Sequence, residues 1–228
     1  MIVREYCESA RPVSSVYLGE KYDFGICPAS IRIEMQTLTD LGFLEQPHTS
    51  AGRVPTDKGY RFFVNNLEEK KQTSGAIDFD LDASADWRMD NDFEEVFRAM
   101  QDLAKSVAAA SESLVVGYMA GEGVLWKEGW EAVLRQPEFA EKGLMDNFLN
   151  YLNYLESNME AMKPAEDFGL FIGNENPYPA ARDFSVFSLA FEPMEKEEVI
   201  FSIVGPKRMA YEKNIALTNE VLKLFNEI

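Results

Sequence analysis

The sequence predicts an α+β protein whose first part is a winged helix-turn-helix. Three observations carry this prediction. Residues 1–69 follow the order helix, helix, turn, helix and hairpin, whereas residues 91–228 mix amphipathic helices with short strand-like runs. Residues 70–90 are rich in aspartate and poor in large apolar side chains. We therefore expect a winged-helix domain at 1–69, an acidic linker at 70–90 and an α+β domain at 91–228.

Two short helices open the chain. The run IVREYCES has a helical pattern and ends near Pro12, because a proline disfavours helical backbone at the residue before it. Ser14 or Ser15 offers an N-cap for a second helix, VYLGEKY. The turn DFGICP follows, in which Gly25 suits a positive φ and Pro28 suits the first turn of the next helix.

The third helix is predicted over residues 29–41, and Gly42 ends it. Its apolar residues recur at helical spacing, which predicts a buried stripe formed by Ile31, Met35, Leu38 and Leu41. At about 100° per residue, the opposite face presents Ala29, Arg32, Ile33, Gln36 and Thr37. We expect the first face in the core and the second in solvent.

A hairpin follows the third helix. Its tip lies in the stretch QPHTSAGRVPT, where Ser50, Ala51 and Gly52 supply turn chemistry between two segments that are able to extend. Thr56 is the expected N-cap of a fourth helix, TDKGYRFFVNNLEE.

The second part opens with a strongly amphipathic helix. Its apolar face comprises Phe93, Val96, Phe97, Met100, Leu103 and Val107. Strands are predicted at SLVVGYM, DFGLFIG, FSVFSLAF and EVIFSIVG, with a helix at 145–162 and a last helix from about Arg208. This order favours a largely antiparallel sheet.

Charge is unevenly distributed along the 228 residues. The formal net charge is -17, but residues 1–65 hold seven basic and eight acidic residues, whereas the remainder holds 15 basic and 31 acidic residues. A globally acidic chain is a poor nonspecific DNA binder, because affinity for DNA depends on neutralising phosphates. The nearly neutral first part can still bind a specific DNA sequence through a few well-placed cations, particularly as two copies.

The composition also bears on the compartment. No apolar run reaches the roughly 18 residues of a membrane span, and the amino terminus lacks the apolar core of a signal peptide. We therefore expect a cytoplasmic protein with no membrane partner. Cys7 and Cys27 fit no CxxC or metal-ligand spacing, so both are expected to be reduced thiols, and no metal site is predicted.

The third helix and the hairpin together indicate binding to double-stranded DNA. Arginine pairs with guanine and glutamine with adenine in the major groove, and an apolar side chain can lie against a thymine methyl group. Cations and neutral donors of the hairpin and the fourth helix suit phosphate oxygens. The candidate DNA-binding residues are Ser30, Arg32, Ile33, Gln36, Thr37, His48, Thr49, Ser50, Arg53, Lys58 and Arg61. The alternative is that the polar face of the helix is only solvated.

Enzymatic activity is not predicted. His48 is the sole histidine and lies in a loop, and the sequence has no nucleophile-base pairing, phosphate loop or metal-ligand spacing, so no cofactor is expected. A second alternative is a ligand-sensing regulator in which Asn174, Asn176 and Arg182 bind a small molecule. The competing interpretation of NENPYP is a turn that ends a strand.

Residues 27–64, CPASIRIEMQTLTDLGFLEQPHTSAGRVPTDKGYRFFV, resemble the heat-inducible transcription repressor family HrcA. The segments LRQPEF at 134–139, FIGNENPY at 171–178 and IVGPKRMAYEKNIAL at 203–217 are similar to later segments of that family, in the same order. The resemblance implies a winged helix followed by a GAF-like regulatory and dimerisation domain. It also implies a homodimer that represses chaperone genes from an inverted-repeat operator, is released on heat or folding stress, and is kept active by a chaperonin.

By position, the resemblance places the recognition helix at 28–41 and the wing at 48–53. The chain departs from the family in its shorter first helix, in Ile33 where the family has asparagine, and in Val16 where it has arginine. Between the strand near Val115 and LRQPEF, the first part of the GAF-like domain and the inserted dimerising domain are expected to be missing or reduced to GEGVLWKEGWEAV. The helix at 93–107 is then a candidate dimer surface, unless its apolar stripe faces the chain's own core.

Overall fold

The computed structural model describes residues 1–71, 92–166, 168–194 and 197–226. The chain divides into two compact units, Met1–Gly75 and Ala76–Ile228. Beyond residue 71, the acidic linker predicted at 70–90 lies outside the described residues.

The first unit has the predicted order of helices and hairpin. Its elements are α1 (Ile2–Ser9), α2 (Ser15–Lys21), α3 (Pro28–Asp40), β1 (Leu44–Glu45), β2 (Val54–Pro55) and α4 (Asp57–Lys71). The expected end signals are used, because Ser14 Oγ accepts a hydrogen bond from Tyr17 N at 3.1 Å and Gly42 has a φ of 77° after α3. Thr56 Oγ1 accepts from Gly59 N at 3.1 Å where α4 begins. The winged helix-turn-helix is confirmed.

The buried stripe of α3 is shorter than the apolar pattern predicted. Ile31 and Met35 are each 5% exposed and pack with Val13 and Leu18, but Leu38 is 37% exposed and Leu41 is 55% exposed. The prediction that Leu38 and Leu41 face the core was wrong. Helix α3 has 13 residues and α2 only seven, so at about 1.5 Å per residue α2 cannot cover the last turns of α3.

A buried carboxylate holds α1 against α2. Glu5 is 3% exposed, and its carboxylate accepts hydrogen bonds from the Tyr17 hydroxyl, the Tyr22 hydroxyl and, at 2.8 Å, Lys21 Nζ. The hydrogen bonds from Lys21, Tyr17 and Tyr22 lower the pKa of Glu5 from 4.5 to about 2, against the opposing effect of burial. The charge is therefore satisfied inside the unit rather than left unpaired.

The second unit is built on an antiparallel sheet with strand order β4-β3-β7-β6-β5. The strands are β3 (Leu114–Met119), β4 (Val124–Glu128), β5 (Phe168–Ile172), β6 (Phe184–Met194) and β7 (Glu197–Pro206). The helices are α5 (Phe93–Ser111), α6 (Trp130–Leu134), α7 (Lys142–Asn158) and α8 (Tyr211–Asn226). Strand β4 and helix α6 lie in GEGVLWKEGWEAV, where the sequence had suggested only a reduced remnant.

Helices cover both faces of this sheet. Phe148 and Leu155 of α7 pack with Val116 and Val204 on one face, while α5 and α8 contact the other. On α5, the residues Val96, Met100, Leu103 and Val107 are at most 2% exposed. The stripe therefore belongs to the unit's own core, and the idea that it forms a dimer surface was wrong.

Two of the family-like segments meet through one arginine. Arg208, after β7, donates from Nη2 to Gln136 Oε1 at 2.7 Å and from Nε to Glu138 Oε1 at 2.5 Å. Its side chain is only 11% exposed. The segments LRQPEF and IVGPKRMAYEKNIAL are thus joined by a charge-assisted contact within the second unit.

We predict that Glu5→Gln lowers the free energy of unfolding of the first unit by about 2–3 kcal/mol at pH 7, because it removes a buried charge that accepts three hydrogen bonds. The contribution of Glu5 is fully present above pH 4.5 and is lost as the pH falls towards 2, since its pKa is lowered in the folded state. Urea denaturation at pH 7 and at about pH 3 measures both effects. Glu8→Gln, an exposed acid on the same helix, is the control; an equal deficit for Glu5→Gln at both pH values contradicts the account.

Candidate nucleic-acid interface

One face of α3 carries predicted base-reading residues into solvent. The helix begins with Cys27 as N-cap and Pro28 in its first turn, and Arg32, Gln36 and Thr37 are exposed along the face. Ile33, on the same face, is 66% exposed. Within the described parts of the chain, Arg32 makes no hydrogen bond or ion pair. The guanidinium is therefore available to an external acceptor.

The start of α3 has a different character. Ser30 is half-buried, and its Oγ lies 3.5 Å from Cys27 Sγ. This hydrogen bond and those with the backbone amides of the first turn lower the pKa of the exposed Cys27 thiol. Ser30 is thus partly occupied within the first turn.

The tip of the hairpin is an ordered, exposed loop. Gln46 Nε2 donates to Thr49 O at 3.0 Å and to Ala51 O at 2.9 Å, which closes the loop from inside. His48 Nδ1 lies 3.1 Å from Ser50 Oγ, and His48, Thr49 and Ser50 are all exposed. In the described part of the chain, the amides of Thr49 and Ser50 donate to no acceptor. They are free donors of the kind that binds phosphate oxygens.

The returning side of the hairpin is fixed to the segment before α2. Arg53 N donates to Val13 O at 2.8 Å, and Val13 N donates to Arg53 O at 2.9 Å. Gly52 makes this approach possible, because a Cβ at that position would lie 2.3 Å from Val13 O. The returning side of the hairpin is therefore held close to the segment before α2.

The side chain of Arg53 is buried, contrary to the prediction from the sequence. It was expected to extend towards phosphate, but it is only 9% exposed. Its Nε donates to Thr39 Oγ1 at 2.9 Å, and its Nη2 donates to Gln36 Oε1 at 2.8 Å. The pairing with Val13 turns the side chain towards α3, so the guanidinium connects the wing to the helix.

The two cations of α4 are also placed differently from each other. Lys58 is exposed, and its Nζ donates to Leu41 O at 2.9 Å and lies 4.4 Å from the centre of the Phe43 ring. It therefore closes the carboxyl end of α3. Arg61 is half-buried.

Thr39 and Asp40 were not among the residues that the sequence predicted for this site. Thr39 accepts from Arg53, and Asp40 Oδ1 accepts from Gln36 Nε2 at 2.8 Å. The spacing of four residues between Gln36 and Asp40 was the available signal, because side chains so spaced are neighbours on a helix.

A third face of α3 borders an apolar groove of about 580 Å³. Leu38 lines the groove together with Ile26, before α3, and with Phe43 and Phe62. Phe62 is 59% exposed and stands edge-on to Phe43, with ring centres 5.2 Å apart. The groove face is distinct from the face that carries Arg32 and Gln36.

The proposed ligand-binding residues of the second unit do not share one environment. Asn176 is 2% exposed, and its Nδ2 donates to Gly173 O at 2.9 Å and to Phe184 O at 3.1 Å. It fastens the turn after β5 to the start of β6. Asn174 and Arg182 are exposed. The buried Asn176 thus has a structural contact, as the turn interpretation of NENPYP predicts.

Neither a membrane-spanning helix nor a metal-binding cluster is present in the parts of the chain that the structure describes. No helix there is long and apolar enough to cross a membrane. No group of three or more His, Cys, Asp and Glu side chains there is arranged to hold a metal ion.

Comparison with known proteins identifies relatives. The sequence profile described as "HrcA protein C terminal domain" matches residues 64–215. The heat-inducible transcription repressor HrcA of Natranaerobius thermophilus is 58% identical over 66 residues, which are 29% of this chain and 19% of that protein. The repressor of the same name from Clostridium perfringens is 22% identical over 322 aligned residues, covering 99% of this chain and 95% of that protein.

A solved structure shares the fold. The crystal structure of a hypothetical protein superposes with a TM-score of 0.79 at 20% identity, covering 99% of this chain and 94% of the other. At 20% identity this similarity supports a shared fold and nothing about function. Together with the sheet and helix order, it confirms the predicted class, a winged helix followed by a reduced GAF-like α+β domain. In the alignment with the Natranaerobius repressor, the chain spans about a fifth of the relative's length.

We predict that Gly52→Ala displaces the wing from the segment before α2, because its Cβ would overlap the Val13 carbonyl group. The free energy of unfolding of the first unit should fall by about 1–3 kcal/mol. Hydrogen exchange at the amides of Val13 and Arg53 measures the displacement, and thermal denaturation measures the stability. Gly143→Ala is the matched control, since a Cβ there meets nothing within 4 Å. Unchanged protection of both amides in Gly52→Ala would show that the contact is not needed.

Proposed function

The chain belongs to the HrcA family, and we propose that it is a sequence-specific repressor of heat-shock genes that binds operator DNA through α3 and the wing. In this proposal α3 enters the major groove, where Arg32, Ile33, Gln36 and Thr37 meet base edges. His48, Thr49 and Ser50 at the tip of the wing contact the sugar-phosphate backbone.

One observation carries the proposal. The face of α3 with Arg32, Ile33 and Gln36 is open to solvent, and the wing is fixed beside it by the Val13–Arg53 pairing and by the Arg53 side chain. The exposed side chains of such a helix can contact base edges in the major groove, while the free amides of the neighbouring loop contact phosphates of the DNA backbone. A merely solvated helix face does not require a wing fixed in this position.

Binding to an inverted repeat requires two copies of the chain. The first part of the chain is close to neutral and the remainder is strongly acidic, so one copy has little general attraction for phosphate. We therefore propose a homodimer that places two α3 helices on two half-sites of operator DNA in the cytoplasm, with a chaperonin as a further partner that keeps the repressor active. Half-sites read on one side of the duplex are separated by whole turns of about 10 base pairs.

Release on heating is proposed to follow from the packing of the first unit. The groove beside α3 leaves Leu38 and Phe62 partly open to water, whereas the core of the second unit is closed by helices on both faces of its sheet. Apolar area that stays in contact with water adds nothing to stability. The first unit is therefore expected to unfold before the second.

The test of DNA binding uses a duplex that the protein itself selects from a random-sequence pool. Fluorescence anisotropy then compares the selected duplex with a scrambled one at two salt concentrations. We expect the selected sequence to be an inverted repeat, bound more tightly than the scrambled duplex and more weakly at the higher salt concentration. Failure to enrich any sequence, or equal binding of both duplexes, contradicts the proposal.

We predict that Arg32→Ala reduces discrimination between the selected and scrambled duplexes by about 1–3 kcal/mol, because it removes a candidate contact to a base. Anisotropy titrations of both duplexes give this difference. Arg135→Ala is the matched control: Arg135 is an exposed arginine of the second unit whose side chain is 80% exposed and faces Glu131. Equal effects of the two substitutions would mean that Arg32 acts only through net charge.

We also predict that DNA binding is lost on heating before the second unit unfolds. Trp126 in β4 and Trp130 in α6 belong to that unit. With Trp87 of the predicted linker replaced by phenylalanine, tryptophan fluorescence reports the unfolding of the second unit alone, while circular dichroism reports both units. Anisotropy of the labelled duplex, followed over the same temperatures, should fall together with the first change in circular dichroism. Loss of binding that coincides with the tryptophan transition would contradict separate unfolding of the first unit.

A further inference from the structure

Gln36 stands between two opposite charges. Its Oε1 accepts from the buried guanidinium of Arg53 at 2.8 Å, and its Nε2 donates to the carboxylate of Asp40 at 2.8 Å. Both bonds have one charged partner, and such bonds are about twice as strong as those between neutral groups. Arg53 is held in turn by Thr39, whose Oγ1 accepts from Nε at 2.9 Å.

This arrangement allows only one orientation of the Gln36 amide. With the oxygen towards the guanidinium and the nitrogen towards the carboxylate, the dipole of the amide is aligned with both charges. A rotation by 180° about the last side-chain bond would put the amide N–H groups against the donors of Arg53 and the amide oxygen against the oxygens of Asp40. An arginine has no acceptor and a carboxylate has no donor, so the reversed amide would lose both bonds.

The amide keeps hydrogen-bonding capacity after these two contacts. Oxygen has a second lone pair and nitrogen a second proton. These are one acceptor and one donor in a fixed order, which is the pair that adenine requires at N6 and N7 in the major groove. A glutamine that rotates freely can present the pair in either order and therefore discriminates less.

We propose that Arg53 and Asp40 fix the orientation of the Gln36 amide and thereby set the base preference at one position of each operator half-site. Arg53 is in this account a positioning residue buried between the wing and α3, not a contact to phosphate. The inference rests on the proposed function, because it concerns how the same DNA-reading face distinguishes bases.

The test uses selection from a random-sequence duplex pool with the full chain and its variants. Gln36→Ala identifies the position that Gln36 reads. Asp40→Asn replaces the carboxylate by a group of the same size that can both donate and accept, so the reversed amide is no longer penalised at Asp40 and only the contact with Arg53 still opposes it. We expect it to relax the preference at that same position severalfold, by less than the roughly tenfold or more that one bidentate base contact contributes, and to leave the other positions unchanged.

Glu34→Gln is the matched control. Glu34 is an exposed acid of the same helix that lines the apolar groove, so the variant has the same change in charge on another face. Asp40 is exposed, and its substitution is expected to leave the fold intact, which melting curves check. Combining Asp40→Asn with Gln36→Ala should add nothing to the effect of Gln36→Ala, since the carboxylate acts through the amide.

Arg53→Ala separates positioning from phosphate contact. If Arg53 positions Gln36, Arg53→Ala relaxes the base preference at the position that Gln36 contacts and leaves the dependence of DNA affinity on salt unchanged. If Arg53→Ala instead keeps the base preference and lowers the slope of affinity against salt concentration by about one, Arg53 contacts phosphate and the inference is overturned. Equal changes for Asp40→Asn and Glu34→Gln would overturn it as well.

A measurement without DNA distinguishes failure of this inference from failure of the proposed function. In nitrogen-15 NMR of the free protein, the side-chain amide signals of Gln36 should move in Asp40→Asn and stay in Glu34→Gln. If they move but wild-type protein selects no sequence, Gln36 contacts Asp40 as described and the proposed repressor function has failed. If they do not move, the orientation is not held by Asp40, and the inference is overturned whatever the DNA result.

Discussion

The buried guanidinium between the wing and α3 is the contact on which the candidate interface depends. Arg53 is paired through its backbone with Val13 and through its side chain with Gln36 and Thr39, so one residue fixes the hairpin, the segment before α2 and the helix. Burying a charge is costly unless its donors are satisfied. Because both partners of the guanidinium lie on α3, these hydrogen bonds form only when the hairpin and the helix are correctly assembled.

Charge is used sparingly around this contact. The chain carries a formal net charge of -17, and little of its surface can attract DNA in a general way. Arg32 is open to solvent, Lys58 closes the end of α3, and Arg53 is internal. In the proposed function, binding would then depend on complementarity at a few positions and on two copies acting together.

Local signals in the sequence predicted much of the first unit. Ser14, Pro28, Gly42 and Thr56 mark helix ends because each has a local chemical role that does not require knowledge of the tertiary structure. The exposure of Leu38 was not predictable, since it depends on the length of the neighbouring helix.

The burial of Arg53 and the role of Asp40 were equally hidden, because hairpin residues usually face solvent and the turn of this side chain follows from pairing with the distant Val13. Among the candidate DNA-binding residues, the exposed positions on α3 and at the wing tip remain predictions.

The most direct test of DNA binding through α3 and the wing is a titration of the nitrogen-15-labelled chain with the duplex it selects. The account predicts that amide signals at Arg32, Gln36 and His48 to Ser50 shift first. Shifts confined to the groove around Leu38 and Phe62, or to the second unit, would contradict it.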